Sequence, residues 1–164
     1  MSNILVSVIV ATYNQERFIG RCIRSLMQQS LEKNKYEIIV INDGSTDKTN
    51  FALNLFHKAI IVINNKKNYG LPKSINKGIK KANGKYIVRV DSDDFVNKNF
   101  LHFLSYFLET NFNEDAVACD YLKVDDDEKV IARLNCENEP IACGILFKKK
   151  DLLKIGLYDE NFLA

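Results

Sequence analysis

The 164-residue chain lacks the marks of several large functional classes. Its net charge at pH 7 is only +2, too small to argue for nucleic acid as a partner. It has no G-x-G-x-x-G and no G-x-x-x-x-G-K-[ST], so neither a dinucleotide fingerprint nor a P-loop is supported. A G-x-S-x-G nucleophile elbow is missing too. No apolar run is long enough to span a bilayer. The run from Ile4 to Ala11 has neither a basic leader nor a cleavage site, so no signal peptide is expected there. The cysteines, Cys22, Cys119, Cys136 and Cys143, include no C-x-x-C pair, and reduced thiols of a cytosolic protein are expected. Only two histidines occur, His57 and His102, and both fall in helical contexts away from strand ends, as surface or packing residues do. Internal repeats, low-complexity tracts and linkers are also missing.

What is present is an ordinary globular composition: 46% hydrophobic and 27% charged residues, enough for one domain with a sizeable core. Apolar runs alternate with amphipathic segments. Leu5–Ala11 is β-branched and nearly all apolar, as a strand buried on both faces should be. Glu16–Gln28 carries Ile19, Ile23, Leu26 and Met27 at helical spacing. Tyr36–Ile41 reads as a second strand, and Ser45 or Thr46 is expected to cap a helix running to His57. Ile60–Ile63 is a third strand. Leu71, Ile75 and Ile79 mark a helix expected to end at Gly84, and Tyr86–Val90 a fourth strand. Asn99–Thr110 is helical. Strands are expected around Val117–Val124, Val130–Leu134 and Gly144–Phe147, then a short helix near Asp151–Lys154.

The β-α-β-α-β-α-β order predicts an α/β fold, a mostly parallel sheet with helices on both faces. In such sheets ligands sit at the carboxyl ends of the strands. Those ends carry Thr12-Tyr13-Asn14, Asn42-Asp43, Asn64-Asn65 and Asp91-Ser92-Asp93-Asp94. Three carboxylates within four residues repel one another unless a cation or solvent offsets them. Their oxygens suit Mg²⁺ or Mn²⁺, which bind one or two carboxylates plus phosphate. A solvated acidic turn is the alternative. Asp43 can accept from a base edge or a ribose hydroxyl, or close an Asx turn. Tyr13 can stack on a base or pack beneath the sheet edge. Lys73, in the first turn of its helix, can reach a diphosphate, or belong with its neighbours to a solvated face.

These segments resemble family-2 glycosyltransferases of the GT-A fold along nearly the whole chain. Val6–Asn14 is similar to the family's first strand and base-binding turn. Residues 39–47 resemble its V-V-D-D-G-S-T-D segment, with Asn42 in place of the first aspartate. Asn68-Tyr69-Gly70-Leu71, Asn76–Ile79 and Ala82–Ile87 are similar to the third helix and its sequel, Asp91–Asp94 to the D-x-D motif, and Gly156–Phe162 to G-x-Y-D-E-x-F. The resemblance implies that Ala11 and Tyr13 line the base pocket, that Asp43 binds the base and that Asp91 lies near the ribose; Thr12, Asn14 and Ser92 beside them, and Lys73 from its helix position, are counted with them as expected nucleotide-sugar-binding residues. It makes Asp93 the first candidate metal ligand, with Asp91 and Asp94 beside it.

The implied reaction is inverting, Mn²⁺- or Mg²⁺-dependent transfer from a nucleotide sugar, a UDP-sugar by expectation, to a glycan or lipid-linked acceptor. Residues 1–95 are then the nucleotide-binding half of a single domain, and 96–164 the start of the acceptor side. The general base is expected in an E-D motif beyond Ala164, so Asp159 and Glu160 are not assigned to it. A non-catalytic nucleotide-binding module is the competing expectation. The expected location is cytoplasmic, with peripheral association at the inner membrane face as a further expectation.

Overall fold

The computed structural model describes residues 4–161; Phe162, which closes the matched G-x-Y-D-E-x-F segment, lies outside them. The chain runs β1 (Val6–Thr12), α1 (Ile19–Met27), β2 (Tyr36–Asn42), α2 (Thr49–Asn54), β3 (Ile61–Asn64), α3 (Leu71–Lys81) and β4 (Tyr86–Arg89). It continues with α4 (Phe100–Thr110), β5 (Ala116–Val117), β6 (Tyr121–Val124), β7 (Val130–Leu134), β8 (Leu146–Lys148) and α5 (Lys149–Ile155). Six strands form one sheet in the order β3-β2-β1-β4-β8-β5. The first four are parallel, and β8 enters antiparallel between β4 and β5. Among the described residues no helix is long and apolar enough to cross a membrane.

The period-2 alternation of β1 and β2 divides the core into two layers. Val6, Val8 and Val10 join Ile38 and Val40 on the face covered by Ile23 and Leu26 of α1 and Leu101 and Leu108 of α4. Ile9, Ile39 and Ile41 point the other way, against Ile75 and Ile79 of α3 and Leu152 of α5. Both faces of these central strands are therefore dry, which explains why the two segments read as continuous apolar runs.

Two local expectations are corrected. The helix after β3 ends at Lys81 rather than Gly84, with Ala82 in extended conformation as its cap. Gly84 instead lets the chain pass against β1: an added Cβ would lie 2.6 Å from the Ser7 amide nitrogen, and the Gly84 N–H donates to Ser7 Oγ at 2.8 Å. The Gly84→Ala substitution should therefore cost about 2 kcal/mol through overpacking against backbone that cannot yield. Urea denaturation checks it, and an unchanged midpoint would refute the close approach. The second correction concerns Val117–Val124, which is two strands in different sheets. β5 pairs with β8, whereas β6 turns away into a hairpin with β7. Only Ala118, Cys119 and Asp120 separate the two, too short an interruption for periodicity to reveal the break.

Candidate functional site at the strand ends

β2, β1 and β4 are neighbours and parallel, so their carboxyl ends share one edge. At about 4.8 Å between strands, the turn after β1 lies between the Asp43 turn and the Asp91 loop. The first two turns are stitched together. Asp43 N–H donates to the Thr12 carbonyl at 2.8 Å. Asn14, with φ of 54°, receives the Thr46 amide on Oδ1 at 2.8 Å and donates its own N–H to Ser45 Oγ at 3.0 Å. Ser45 and Thr46 thus serve the β1 turn rather than capping α2. The start of α2 is held by Asp47, which accepts from the Thr49 amide at 2.9 Å and the Glu16 amide at 3.1 Å. Ala11 is half-buried, Tyr13 is exposed, and the Thr12 hydroxyl is buried without a partner.

Asp43 is 4% exposed, and its carboxylate is largely occupied by the protein. Oδ1 accepts from Asn65 Nδ2 at 2.7 Å and the Tyr69 amide at 3.0 Å, and Oδ2 accepts from the Gly70 amide at 2.9 Å. A carboxylate offers roughly four lone-pair sites, so about one remains for anything else. Gly44 makes this turn possible: its φ is +73°, and a Cβ there would lie 2.5 Å from the Lys67 carbonyl carbon. Asn65, which also receives Lys77 Nζ at 2.6 Å on its Oδ1, is a structural member of the site. Its position at a strand end was the signal; its partner could not be read. Lys73 is exposed, and its ammonium lies 5.1 Å from the centroid of the Tyr69 ring, with Lys67 at 5.6 Å.

The loop after β4 gathers a different set. Arg89 grips Asp91 with two bonds, Nε to Oδ1 at 2.7 Å and Nη2 to Oδ2 at 3.0 Å. Cys22 Sγ donates to the Asp91 carbonyl at 3.5 Å, and burial pushes that thiol up to about 12. Single ligand atoms of Asp91, Asp94 and Cys143 lie within 4.8 Å of one another. Asp94 is exposed, yet the desolvation of its carboxyl within the loop holds it above the usual carboxylate range, and the charges of Asp91 and Asp93 add to this. Asp93, first among the ligands expected from sequence, is exposed and outside that group. Its carbonyl receives Arg21 Nη2 at 2.6 Å, while Ser92 is buried. Arg21 also stacks on Phe95 at 4.6 Å and pairs with Glu128 at 3.0 Å, tying the loop to α1 and to the tip of the β6–β7 hairpin. Neither histidine approaches this edge by its contacts. His57 Nδ1 lies 2.9 Å from the Asn54 carbonyl, and His102 stacks on Tyr106 along α4.

The donor set suits a divalent cation. Two carboxylates and a thiol place ligand atoms within 4.8 Å of one another, and desolvation together with the local excess of negative charge raises one of the acids.

Known proteins share this fold. The model of Glycosyl transferase family 2 matches residues 7–160. The poly(ribitol-phosphate) beta-glucosyltransferase of Bacillus spizizenii is 35% identical over 166 aligned residues, which cover 95% of this chain and 26% of that protein. Residues 1–349 of S. aureus TarS, solved in complex with UDP, superpose with a TM-score of 0.81 at 25% identity, covering 96% of this chain and 51% of that one. The mannosyltransferase PcManGT of Pyrobaculum calidifontis, solved with GDP-Man and Mn²⁺, matches in fold with a TM-score of 0.79 at 21% identity, covering 97% and 48% of the two chains. The chain spans only 19% to 37% of the length of curated relatives it matches. The architecture is the GT-A fold that the sequence resemblance implies.

Proposed function

Because this chain belongs to glycosyl transferase family 2, we propose that it forms the donor-binding part of an inverting, metal-dependent glycosyltransferase that moves a sugar from a UDP-sugar to a glycan or lipid-linked hydroxyl. The observation that carries this reading is the shared edge where the β1 turn, Asp43 and the Asp91–Asp94 loop meet. Tyr13 presents an exposed ring beside Asn14, whose amide and side-chain oxygen are already paired, which suits stacking on a base. Asp43 has one acceptor position left for a base N–H or a ribose hydroxyl. Lys73 and Lys67 keep positive charge at the opening of α3, where a diphosphate would be attracted.

Asp91 and Asp94 are the carboxylates best arranged to hold Mn²⁺ or Mg²⁺, with Asp93 at the rim of the same loop. When bound, the cation offsets charge on the departing nucleoside diphosphate. Arg89 orients Asp91, and the Arg21 bond to the Asp93 carbonyl fixes the loop backbone, so both arginines act as positioning residues. Residues 1–95 then form the nucleotide half, and the acceptor side begins at 96. The proposed setting is cytoplasmic, at the inner membrane face for a lipid-linked acceptor.

Calorimetric titration with UDP in the presence of Mn²⁺ tests the reading. Saturable binding that EDTA abolishes and that exceeds GDP binding is expected. No heat with either nucleotide, with or without the metal, would refute it. A parallel sugar-release assay separates a complete transferase from a module that binds without turnover.

A further inference from the structure

We propose that Cys143 supplies a sulfur ligand to the cation held by Asp91 and Asp94, so that this site prefers thiophilic divalent cations over Mg²⁺. The proposal rests on the reading of that loop as a cation site and assigns it a donor from outside the loop.

The juxtaposition is a property of the backbone. β8 runs antiparallel to β4 with Tyr86 opposite Lys148, Ile87 opposite Phe147 and Val88 opposite Leu146. Continuing this register three residues carries Asp91 to Cys143. The Gly144 N–H donates to the Arg89 carbonyl at 2.9 Å, and Gly144 takes a φ of +80° where the chain turns along the strand end. The Asp91 amide then donates to Cys143 Sγ at 3.4 Å. Cys143 is a free, half-buried thiol, and the Asp94 carboxyl is its other close polar neighbour. The sulfur thus lies at the loop by strand pairing, independently of how any surface side chain rotates.

The dimensions and chemistry agree. Around a four-coordinate cation, ligand atoms at about 2.0–2.3 Å from the metal sit about 3.5 Å apart. The observed group spans no more than 4.8 Å between ligand atoms, so contraction of about 1 Å by side-chain rotation closes it. On binding, the S–H bond breaks, the sulfur electron pair bonds the cation and the proton leaves to the buffer; nothing is oxidised. Thiolate sulfur favours softer ions such as Co²⁺, Zn²⁺ and Cd²⁺, whereas Mg²⁺ takes oxygen. Arg89 leaves Asp91 the lone pairs turned away from the guanidinium, so the cation does not have to displace it.

The test uses a chain carrying Cys119→Ser and Cys136→Ser, which removes two thiols outside the group formed by Asp91, Asp94 and Cys143. Titration with Co²⁺ is expected to raise a near-ultraviolet sulfur-to-cobalt charge-transfer band that saturates at one equivalent. Cys143→Ser, and independently Cys143→Ala, should abolish the band and weaken Cd²⁺ binding by about tenfold or more, with Mg²⁺ binding changed less than about twofold. Cys22→Ala should leave the band in place. A band that survives loss of Cys143, or disappears with Cys22, overturns the sulfur assignment while leaving the carboxylate site standing. Cobalt binding with no band does the same. If calorimetry detects no binding of Mn²⁺, Co²⁺ or Cd²⁺ to the unsubstituted chain, the cation site itself fails, and the sulfur assignment with it.

Discussion

The Asp43→Ala variant is expected to lose about 4 kcal/mol of stability, because three donors that now share one buried carboxylate would be left unpaired. Asn65 Nδ2 and the amides of Tyr69 and Gly70 all point at its two oxygens. Each orphaned donor costs about 1–3 kcal/mol, and charge-assisted bonds sit at the upper end. The loss should appear as a fall in thermal midpoint of about 10 °C for a domain of this size. Asp43→Asn should be intermediate, since the amide keeps one acceptor oxygen and turns a donor toward a donor. Chemical denaturation of both variants checks this. A stability loss below about 1 kcal/mol for the alanine variant would mean that the 65–70 loop does not depend on Asp43. UDP binding should be lost as well, but only the stability readout separates an architectural role from direct contact with the base.

The second large effect is expected at Asp94. The Asp94→Ala variant should weaken Mn²⁺-dependent UDP binding by on the order of a hundredfold, equivalent to about 2.7 kcal/mol. Asp93→Ala should have a smaller effect, because its carboxylate stands outside the group formed by Asp91, Asp94 and Cys143. The reverse ranking in calorimetry would restore Asp93 as the principal ligand. Stability should move the other way. The native Asp94 carboxyl is raised by desolvation and by the charges of Asp91 and Asp93, so the folded chain holds its proton to higher pH than the unfolded chain does. Stability from this group is present below its unfolded value and falls as pH rises through the native one. Without metal, Asp94→Ala should therefore leave the fold at neutral pH no weaker, and should flatten that part of the pH–stability curve.

Much of the frame was legible in the residues. The doubly apolar β1 and β2, and the helical spacing of Ile75 and Ile79, report local burial, which periodicity encodes directly. Polar strand ends marked the site edge for the same reason: a buried parallel strand can turn polar only where it leaves the sheet. Other features were hidden. Asp47 rather than Ser45 or Thr46 holds the start of α2, because Asn14, more than thirty positions earlier, engages Ser45 and Thr46. Candidate caps of equal local merit are separated only by such distant partners.

The amino-acid order by itself determined the two-layer α/β sheet, the family, and the edge at which function is sought, since these follow from local patterns of burial and from motif spacing. Tertiary structure alone decided which groups meet there. β8, more than fifty positions after β4, enters antiparallel and brings Cys143 to Asp91, while Arg21 holds the acidic loop by the Asp93 carbonyl and Asp94, not Asp93, groups with them. Side-chain direction in a loop depends on backbone angles and long-range pairing, and neither leaves a period in the sequence.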